Sequence, residues 1–412
     1  MIRARRLIFL IVVCVTAAAF TPTAVNAASR TATQVVVSPT AWIQQIRDAI
    51  DGRRVSVAVG VDGVEWFQHL GWVPRPPASN EKLLLSMALL SRFAPTMTIA
   101  TQAASARPPQ PNGVLRGNLW IIGHGDPEVG RADLVALAKA IADAGVTSIR
   151  GRVIGDTGPF RRDWFAPGWK DYFPRYYVSL PTALTFLQNR SKTGVHITDP
   201  EERAARFLTA KLEARGIDVH GKPAGAPLKG HVVEVASIRS APLQSIIRRM
   251  DLLSRNFYAE VLGKKLGSVA YGTGSIASGA RAIDAFLDGE GVRFTLHDSS
   301  GLSYANRATA DGILHLLWAA DAAPWGETLR DALPHGNQGT LEGRLPKIEL
   351  HAKTGTLDHA SALSGWVWLQ QSQQWAEFSI LSSGFSEWTA KGIEDRIVRA
   401  ISQGAVDPAT PI

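Results

Sequence analysis

The chain has 412 residues, of which 19% are charged and 45% hydrophobic, and its formal net charge is +8. This is the balance of a globular protein with enough chain for a large core and two domains, and it does not indicate disorder beyond the two ends. The positive charge suits a partner that carries carboxylates, but it is too small to indicate binding to nucleic acid.

The first 27 residues have the layout of a secretory signal peptide. Arginines precede an apolar run from Leu7 to Phe20, and residues 25–27 offer a small-residue cleavage site. The run is shorter than the ~20 residues that span a bilayer comfortably, and an uncleaved anchor is the alternative. Because this segment carries three arginines and no acid, its removal lowers the net charge from +8 to +5. We therefore expect secretion to the periplasm or the cell-wall side of the membrane, with membrane contact and oligomeric state left open.

The only cysteine, Cys14, lies inside this leader. The mature chain therefore has no thiol, which excludes disulfides, cysteine-ligated metals and a cysteine nucleophile. The ten histidines show no H-E-x-x-H or similar ligand spacing. We expect neither a metal nor a cofactor.

The next stretch predicts a helix and a β-hairpin. Residues 40–50 have helical character, and valines alternate with smaller residues over 55–61, which predicts a half-buried strand. Asp62-Gly63 is a two-residue hairpin signal, and a second strand is predicted over 64–70.

A helix is predicted from Ser79 to Leu90, and two prolines followed by Ala78 precede it. It is apolar on nearly every side, which is typical of a helix that runs through a core.

The region from 100 to 235 mixes short strands, aromatic loops and one clear helix. Strands are predicted over 119–122 and 149–154, and a helix over 133–144. The proline-rich stretch 107–113 is the best linker candidate in the chain. We interpret the region as an inserted domain.

The C-terminal part returns to helices and then to strands. Helices are predicted over 243–250, 257–266, 275–287, 308–320 and 387–402, and strands over 348–353, 364–369 and 375–381. An antiparallel sheet built from both ends of the chain, with helices on its faces, explains this order and predicts the α+β class.

Three short motifs follow one another in the order Ser79-x-x-Lys82, Ser254-x-Asn256 and Lys353-Thr354-Gly355. Such a set is typical of class A β-lactamases and penicillin-binding proteins. Each motif alone is weak, since a serine helix cap with a solvated lysine is the ordinary alternative for the first and a helix cap for the second. A second Lys-Thr-Gly begins at Lys192 and precedes Ser254, and we interpret it as a chance match.

The position of the first motif strengthens it. Ser79 and Lys82 are three residues apart at the N-terminus of the buried helix, and this spacing places both side chains on one face. A serine there can lose its proton to a nearby amine, and the free N–H groups of the helix end can stabilise the resulting oxyanion.

Taken together, the motifs resemble the S13 peptidase family, the low-molecular-mass class C penicillin-binding proteins of the penicillin-binding protein 4 type. The resemblance covers nearly the whole mature chain, from about residue 55 to 385. The segments that carry it are Pro77-Ala78-Ser79-Asn80-Glu81-Lys82, Gly117-Asn118-Leu119-Trp120, Gly123-His124-Gly125-Asp126-Pro127, Ser254-Arg255-Asn256-Phe257-Tyr258-Ala259-Glu260, Asp298-Ser299-Ser300-Gly301-Leu302-Ser303, Gly339-Thr340-Leu341 and Ala352-Lys353-Thr354-Gly355-Thr356-Leu357.

The resemblance implies catalytic roles for five residues. Ser79 would be the acylated nucleophile and Lys82 the base that takes its proton. Ser254 and Asn256 would relay protons and orient the substrate amide. Lys353 would hold the carboxylate of the terminal D-alanine.

Further substrate contacts are implied for Thr354, Gly355, Thr356, Ser300 and Gly301. Thr354 would assist Lys353 at the carboxylate, and the N–H group of Thr356 would share an oxyanion hole with that of Ser79. Arg255 departs from the family pattern, which has an acid there, and we expect little loss because the flanking residues carry the chemistry.

The resemblance also implies a fold and an activity. The fold would be a serine β-lactamase/transpeptidase-like domain formed by residues 28–100 and 236–412, with a smaller α/β domain inserted at 101–235. The activity would be that of a D-Ala-D-Ala carboxypeptidase and DD-endopeptidase that acts on peptidoglycan stem peptides and is acylated by β-lactams. A serine β-lactamase and a catalytically silent cell-wall-binding protein are the alternatives, and the insertion, shorter than in long family members, leaves the endopeptidase activity open.

Overall fold

The computed structural model describes residues 39–191 and 193–406, so the predicted signal peptide, Cys14 and Lys192 lie outside the described residues. The helices are α1 (Pro39–Ile50), α2 (Glu81–Arg92), α3 (Arg131–Asp143), α4 (Phe173–Tyr176), α5 (Pro200–Glu213), α6 (Leu243–Leu252), α7 (Asn256–Tyr271), α8 (Ile276–Gly289), α9 (Ala310–Ala322), α10 (Gly326–Ala332) and α11 (Glu387–Ser402). Within these two ranges, no helix has the length and apolar character that crossing a membrane requires.

The strands form three sheets, and the main one combines strands from the N-terminal and C-terminal parts of the described chain. The strands are β1 (Val55–Val61), β2 (Val64–His69), β3 (Ala100–Ser105), β4 (Val114–Leu115), β5 (Leu119–Gly123), β6 (Ser148–Ile149), β7 (Val153–Asp156), β8 (Asp218–Val219), β9 (Ala224–Ala226), β10 (Val233–Arg239), β11 (Leu350–Leu357), β12 (Ala360–Leu369) and β13 (Gln374–Ser383). The main sheet has the order β11-β12-β13-β1-β2, and all its neighbours are antiparallel. The predicted α+β class, with an antiparallel sheet flanked by helices, is confirmed.

Helices cover both faces of the main sheet. The valines of β1 pack against α1 and α11 in one hydrophobic cluster, whereas Ala58, Ala362 and Trp366 face the cluster formed by α2 and α6 to α9. All seven residues of β1 are consequently buried. The prediction of a half-buried β1 was therefore wrong, because the alternating small residues face a second layer of helices instead of water.

Helix α2 lies inside the second of these clusters, as predicted. Its residues from Glu81 to Leu90 are all buried, including the lysine of the first motif. A buried charged side chain requires partners, and those of Lys82 define the site described below.

Residues 100–239 supply the two smaller sheets and a hydrophobic cluster of their own. The predicted strand over 149–154 is in fact two strands: β6 belongs to the small parallel sheet and β7 to the larger mixed one. The chain crosses between the sheets at Gly151, where a Cβ atom would lie 2.4 Å from Asn118 Oδ1. The sequence analysis missed α5, and the proline-rich stretch 107–113 connects β3 to β4. The predicted domain boundaries stay a prediction.

Candidate active site

Ser79 lies in a short 3₁₀ turn, Ala78–Asn80, that leads directly into α2. Asn80 donates a hydrogen bond from Nδ2 to Ser364 Oγ at 2.7 Å, which ties this turn to strand β12. Ala78 has a φ of +47°, an uncommon conformation for a residue with a Cβ atom. The nucleophile candidate is therefore held on a fixed and locally strained backbone.

Lys82 follows one turn later, and its amine is surrounded by polar groups of the predicted site. Its Nζ lies 3.0 Å from Ser79 Oγ, 2.8 Å from Asn256 Oδ1 and 2.5 Å from the carbonyl oxygen of Ser300. Burial lowers the pKa of Lys82 to about 8, although nearby carboxylates, that of Asp298 first, oppose the shift. A base with a pKa near the working pH is suited to accept a proton from a serine hydroxyl.

The second motif connects α6 to α7. Ser254 adopts a φ of +50° in the turn, and Asn256 begins α7. The Asn256 amide is fixed at both ends, because Oδ1 accepts from Lys82 and Nδ2 donates to the carbonyl of Tyr177 at 3.3 Å. The loop between the two helices was predicted, and the structure confirms it.

Arg255 lies between these two residues but contacts different groups. Its guanidinium donates to Gln188 Oε1 at 3.3 Å and lies over the ring of Tyr258, 5.2 Å from its centroid. The departure from the family pattern at this position therefore leaves the flanking side chains free to meet Lys82 and Lys353.

Lys353 lies on β11, one of the two edge strands of the main sheet. Its Nζ is 3.1 Å from Ser254 Oγ and 2.9 Å from the Thr354 carbonyl oxygen. Burial, followed by repulsion from Lys82, lowers the pKa of Lys353, while Asp251 opposes this. The structure thus brings together the side chains of all five predicted catalytic residues.

The predicted substrate-binding residues fall into two groups. Gly301 and Thr356 line the cleft. The Thr354 hydroxyl instead donates to Thr340 Oγ1 at 2.7 Å. Ser300 is fully buried and its hydroxyl donates to Asp298 Oδ2 at 3.2 Å, so its side chain does not line the cleft. The direct substrate contact expected of Ser300 is therefore corrected: it contributes its main-chain carbonyl, which accepts a hydrogen bond from Lys82.

Glycine is required where two backbone segments meet behind Ser79. A Cβ atom on Gly301, which has a φ of +79°, would lie 1.8 Å from the Ala78 carbonyl oxygen. A Cβ atom on Gly355 would lie 2.7 Å from the Pro77 carbonyl oxygen. The predicted role of Gly355 is thus better described as close packing of β11 against the segment that carries the nucleophile.

A cleft of about 790 Å³ opens above these groups. It is lined by Ser79, Lys170, Tyr172, Phe173, Tyr177, Ser254, Asn256, Gly301, Leu302, Tyr304, Thr356, Leu357, Asp358, His359, Phe385, Ser386 and Glu387. Its volume is in the range of sites that bind a small peptide. The serines of the first two motifs, Ser79 and Ser254, lie at its surface.

The sequence analysis missed the residues that build the aromatic wall of this cleft. The wall comes from the segment 160–181, whose high aromatic content was the available signal. Lys264 on α7 anchors both ends of the segment, since its buried amine donates to the carbonyls of Arg161 and Pro181, at 2.9 and 3.0 Å. It also pairs with Asp163 at 2.7 Å. The anchored wall includes Tyr177, which orients the Asn256 amide.

Comparison with known proteins gives matches over most of the chain. A sequence model of the D-Ala-D-Ala carboxypeptidase 3 (S13) family matches residues 42–197 and 183–403. A D-alanyl-D-alanine carboxypeptidase of an Actinomadura species is 27% identical, over 87% of this chain and 82% of the relative. A carboxypeptidase of Mycobacterium tuberculosis is 30% identical, over 74% of this chain and 70% of the relative.

Solved structures confirm the predicted fold. Penicillin-binding protein 4 of Haemophilus influenzae superposes with a TM-score of 0.76 at 20% identity, covering 87% of this chain and 99% of that one. A predatory peptidoglycan endopeptidase of Bdellovibrio bacteriovorus gives a TM-score of 0.55 at 17% identity, covering 87% and 96%. At these identities the likeness concerns the fold alone, and the fold is the transpeptidase-like one that was expected.

Proposed function

Since the chain belongs to the D-Ala-D-Ala carboxypeptidase 3 (S13) family of serine peptidases, we propose that it removes the terminal D-alanine of peptidoglycan stem peptides through an acyl-enzyme on Ser79. The observation that carries the proposal is the contact of a cleft-lining hydroxyl with a buried amine, 3.0 Å apart. A nucleophile within hydrogen-bond reach of a base that a third group orients is the pattern expected of acyl transfer.

The first half of the reaction forms the acyl-enzyme. Neutral Lys82 takes the proton of Ser79 as Oγ attacks the carbonyl carbon of the penultimate D-alanine. The main-chain N–H groups of Ser79 and Thr356 stabilise the oxyanion. The C–N bond then breaks, and the amine of the departing D-alanine receives a proton through the Lys82 and Ser254 side chains.

The second half of the reaction is hydrolysis, in which water attacks the ester and releases Ser79. During acylation, Lys353 binds the carboxylate of the terminal residue, which an amine suits by charge; its Nζ lies 3.1 Å from the hydroxyl of Ser254, which lines the cleft. Thr354 contributes to carboxylate binding through its hydroxyl, which donates a hydrogen bond to the Thr340 hydroxyl at 2.7 Å.

We extend the proposal to cross-linked substrates. A cross-bridge presents the same D-alanyl carbonyl, and only the departing amine differs, so the same steps apply. The open cleft of about 790 Å³ supports access by the larger substrate. β-Lactams would acylate the same hydroxyl because their strained amide imitates the bond that is cleaved.

We also propose that the mature protein acts outside the cytoplasm, on the cell-wall side of the membrane. The support is the leader over residues 1–27, together with the location of peptidoglycan. Mass analysis of the N-terminus of the exported protein tests this, and an intact leader would contradict cleavage.

The activity is tested by intact-mass measurement after incubation with benzylpenicillin and by digestion of purified peptidoglycan. We expect one penicilloyl adduct on the wild type and on Ser91→Ala, a serine on the same helix whose hydroxyl donates to the Ala88 carbonyl at 3.0 Å. Ser79→Ala should form no adduct. Release of single D-alanine units reports the carboxypeptidase, and loss of cross-linked dimers reports the endopeptidase.

Two outcomes would contradict the proposal. Rapid turnover of a chromogenic β-lactam, with no lasting adduct and no release of D-alanine, would indicate a β-lactamase. An unmodified wild type and unchanged peptidoglycan would indicate a catalytically silent protein.

A further inference from the structure

Asp298 is a fully buried carboxylate that the reaction described above does not use. Both of its oxygens accept hydrogen bonds at 2.6 to 3.2 Å, and the donors are Trp169 Nε1, Ser300 Oγ, Gly301 N, Ser303 N and Asn306 Nδ2. A carboxyl group that meets five donors is satisfied as the ionised, acceptor-only form. Asp298 therefore organises the whole loop that follows it.

That loop touches the catalytic pair at two places. The Ser300 carbonyl accepts a hydrogen bond from Lys82 at 2.5 Å. Gly301 packs against the carbonyl group of Ala78, the residue before the nucleophile. By fixing the loop, Asp298 fixes both an acceptor of the base and the backbone beside Ser79.

Asp298 also acts on Lys82 through its charge. The charged or titratable groups that face Lys82 come from its own helix and from four further parts of the fold. They are Glu81 on α2, Asp251, Glu260, Asp298 and Lys353. Burial, followed by repulsion from Asp298, raises the pKa of both Glu81 and Glu260. These two glutamates therefore retain protons at neutral pH more readily than ordinary carboxyl groups, which leaves Asp298 as the principal negative charge on this side of the amine.

We propose that Asp298 is the positioning residue of the Lys82 base: it holds the carbonyl that orients the amine, and its negative charge favours the protonated amine. The inference rests on the proposed role of Lys82 and assigns to the buried loop a function in the reaction beyond its contribution to stability.

The main test is the pH profile of acylation by benzylpenicillin in Asp298→Asn. An asparagine keeps the size but loses the charge and one acceptor oxygen, so we expect a plateau rate roughly 10-fold lower. The midpoint of the acidic limb should move down by about one pH unit, because the amine loses an attractive charge. In a double variant with Glu260→Gln, the charge cannot pass to Glu260, and the shift should be at least as large.

The matched control is Asp284→Asn, the same change at a partly buried carboxyl of α8. Burial and Asp288 raise the pKa of Asp284 to about 6, whereas the main carboxylates that act on the pKa of Lys82 are those of Asp298, Asp251, Glu260 and Glu81. The plateau rate of acylation and the midpoint of the acidic limb in Asp284→Asn should both equal those of the wild type.

A milder variant keeps the test informative if Asp298→Asn does not fold. Trp169→Phe removes the indole that donates to Asp298 but keeps the Asp298 carboxylate. The charge of that carboxylate is then less screened, so the midpoint of the acidic limb should move upward, in the opposite direction to the shift expected for Asp298→Asn. Trp42→Phe is its control, since that indole donates to the Ala405 carbonyl at 3.2 Å. Trp42 lies in the hydrophobic cluster that contains the valines of β1, on the other face of the main sheet, so the midpoint should stay unchanged.

The outcomes separate the two levels of inference. A wild type without any acylation would overturn the proposed function, and this inference with it. A wild type that acylates with a clear acidic limb, alongside variants of Asp298 and Trp169 whose midpoints do not move, would overturn this inference alone. Unchanged midpoints with lower plateaus would reduce Asp298 to a structural residue.

Discussion

Replacing Gly301 by alanine should displace the nucleophile without touching any catalytic side chain. The new Cβ atom would lie 1.8 Å from the Ala78 carbonyl oxygen, whereas real Cβ contacts are essentially never under 3.0 Å. The gap must therefore widen by more than 1 Å, and the neighbouring oxygen belongs to the backbone, which cannot rotate away as a side chain can. The segment that moves is the one that carries Ser79.

The expected effect has two components. The φ of +79° is unfavourable for alanine and costs about 1 kcal/mol of folding free energy. The clash adds ~1–3 kcal/mol if it is relieved by a backbone shift. A displacement of this size near the reacting atoms costs on the order of 100-fold in rate, so acylation should fall by about that factor while the protein still folds.

Gly291→Ala separates the two components. Gly291 has a similar φ of +75°, and among the described residues nothing lies within 4 Å of the position that its Cβ atom would take. Thermal unfolding should therefore show the conformational cost in both variants, while stopped-flow acylation by a fluorescent penicillin should be slow only in Gly301→Ala. Equal acylation rates in the two variants would refute the proposed close packing behind Ser79.

Two predictions concern pH. Because burial lowers the pKa of Lys82 to about 8, roughly one tenth of the amine is neutral at pH 7 and about half at pH 8. The acylation rate should therefore rise about ninefold from pH 6 to 7 and about fivefold from pH 7 to 8, whereas Lys82→Arg should abolish acylation at every pH. A flat rate profile over pH 6–8 would contradict this. Burial and Asp321 raise the pKa of Glu377 to about 8, above its value in the unfolded chain. The unfolded chain therefore loses this proton at a lower pH than the folded protein, so Glu377 lowers the free energy of unfolding progressively as the pH rises from about 4.5 to 8. Glu377→Gln should gain stability relative to the wild type over that window, on the order of 2 kcal/mol, as measured by urea unfolding at pH 5 and pH 8; an equal difference at both pH values would refute the assignment.

Sequence patterns predicted the structural elements that are determined by residues close together in the chain. The apolar helix from Ser79 to Leu90, the hairpin turn at Asp62-Gly63 and the loop at Ser254 depend on residues within a few positions, and all three are present. Helix α5 was missed although Pro200 and two acids mark its start, because its many charged residues dilute the apolar pattern.

Features that depend on distant contacts were not predicted. The full burial of β1 requires helices on both faces of the sheet, and no pattern inside the strand specifies the second layer. The turn of the Ser300 side chain toward Asp298 is likewise part of a hydrogen-bonded cluster that includes Trp169 from a distant segment. The order of the three motifs identified the groups that meet at the site, but the orientation of each group was set by packing that only the fold specifies.

The main sheet also constrains how the chain can fold. Val55 pairs with Ser382, so one edge of β1 pairs only with a strand that lies more than three hundred positions later in the chain. Non-local pairing of this kind slows folding, and until β13 is available one edge of β1 stays unpaired and prone to wrong association. A chain interrupted between α2 and β11 would therefore contain Ser79 and Lys82 but lack the strands that complete the scaffold around them.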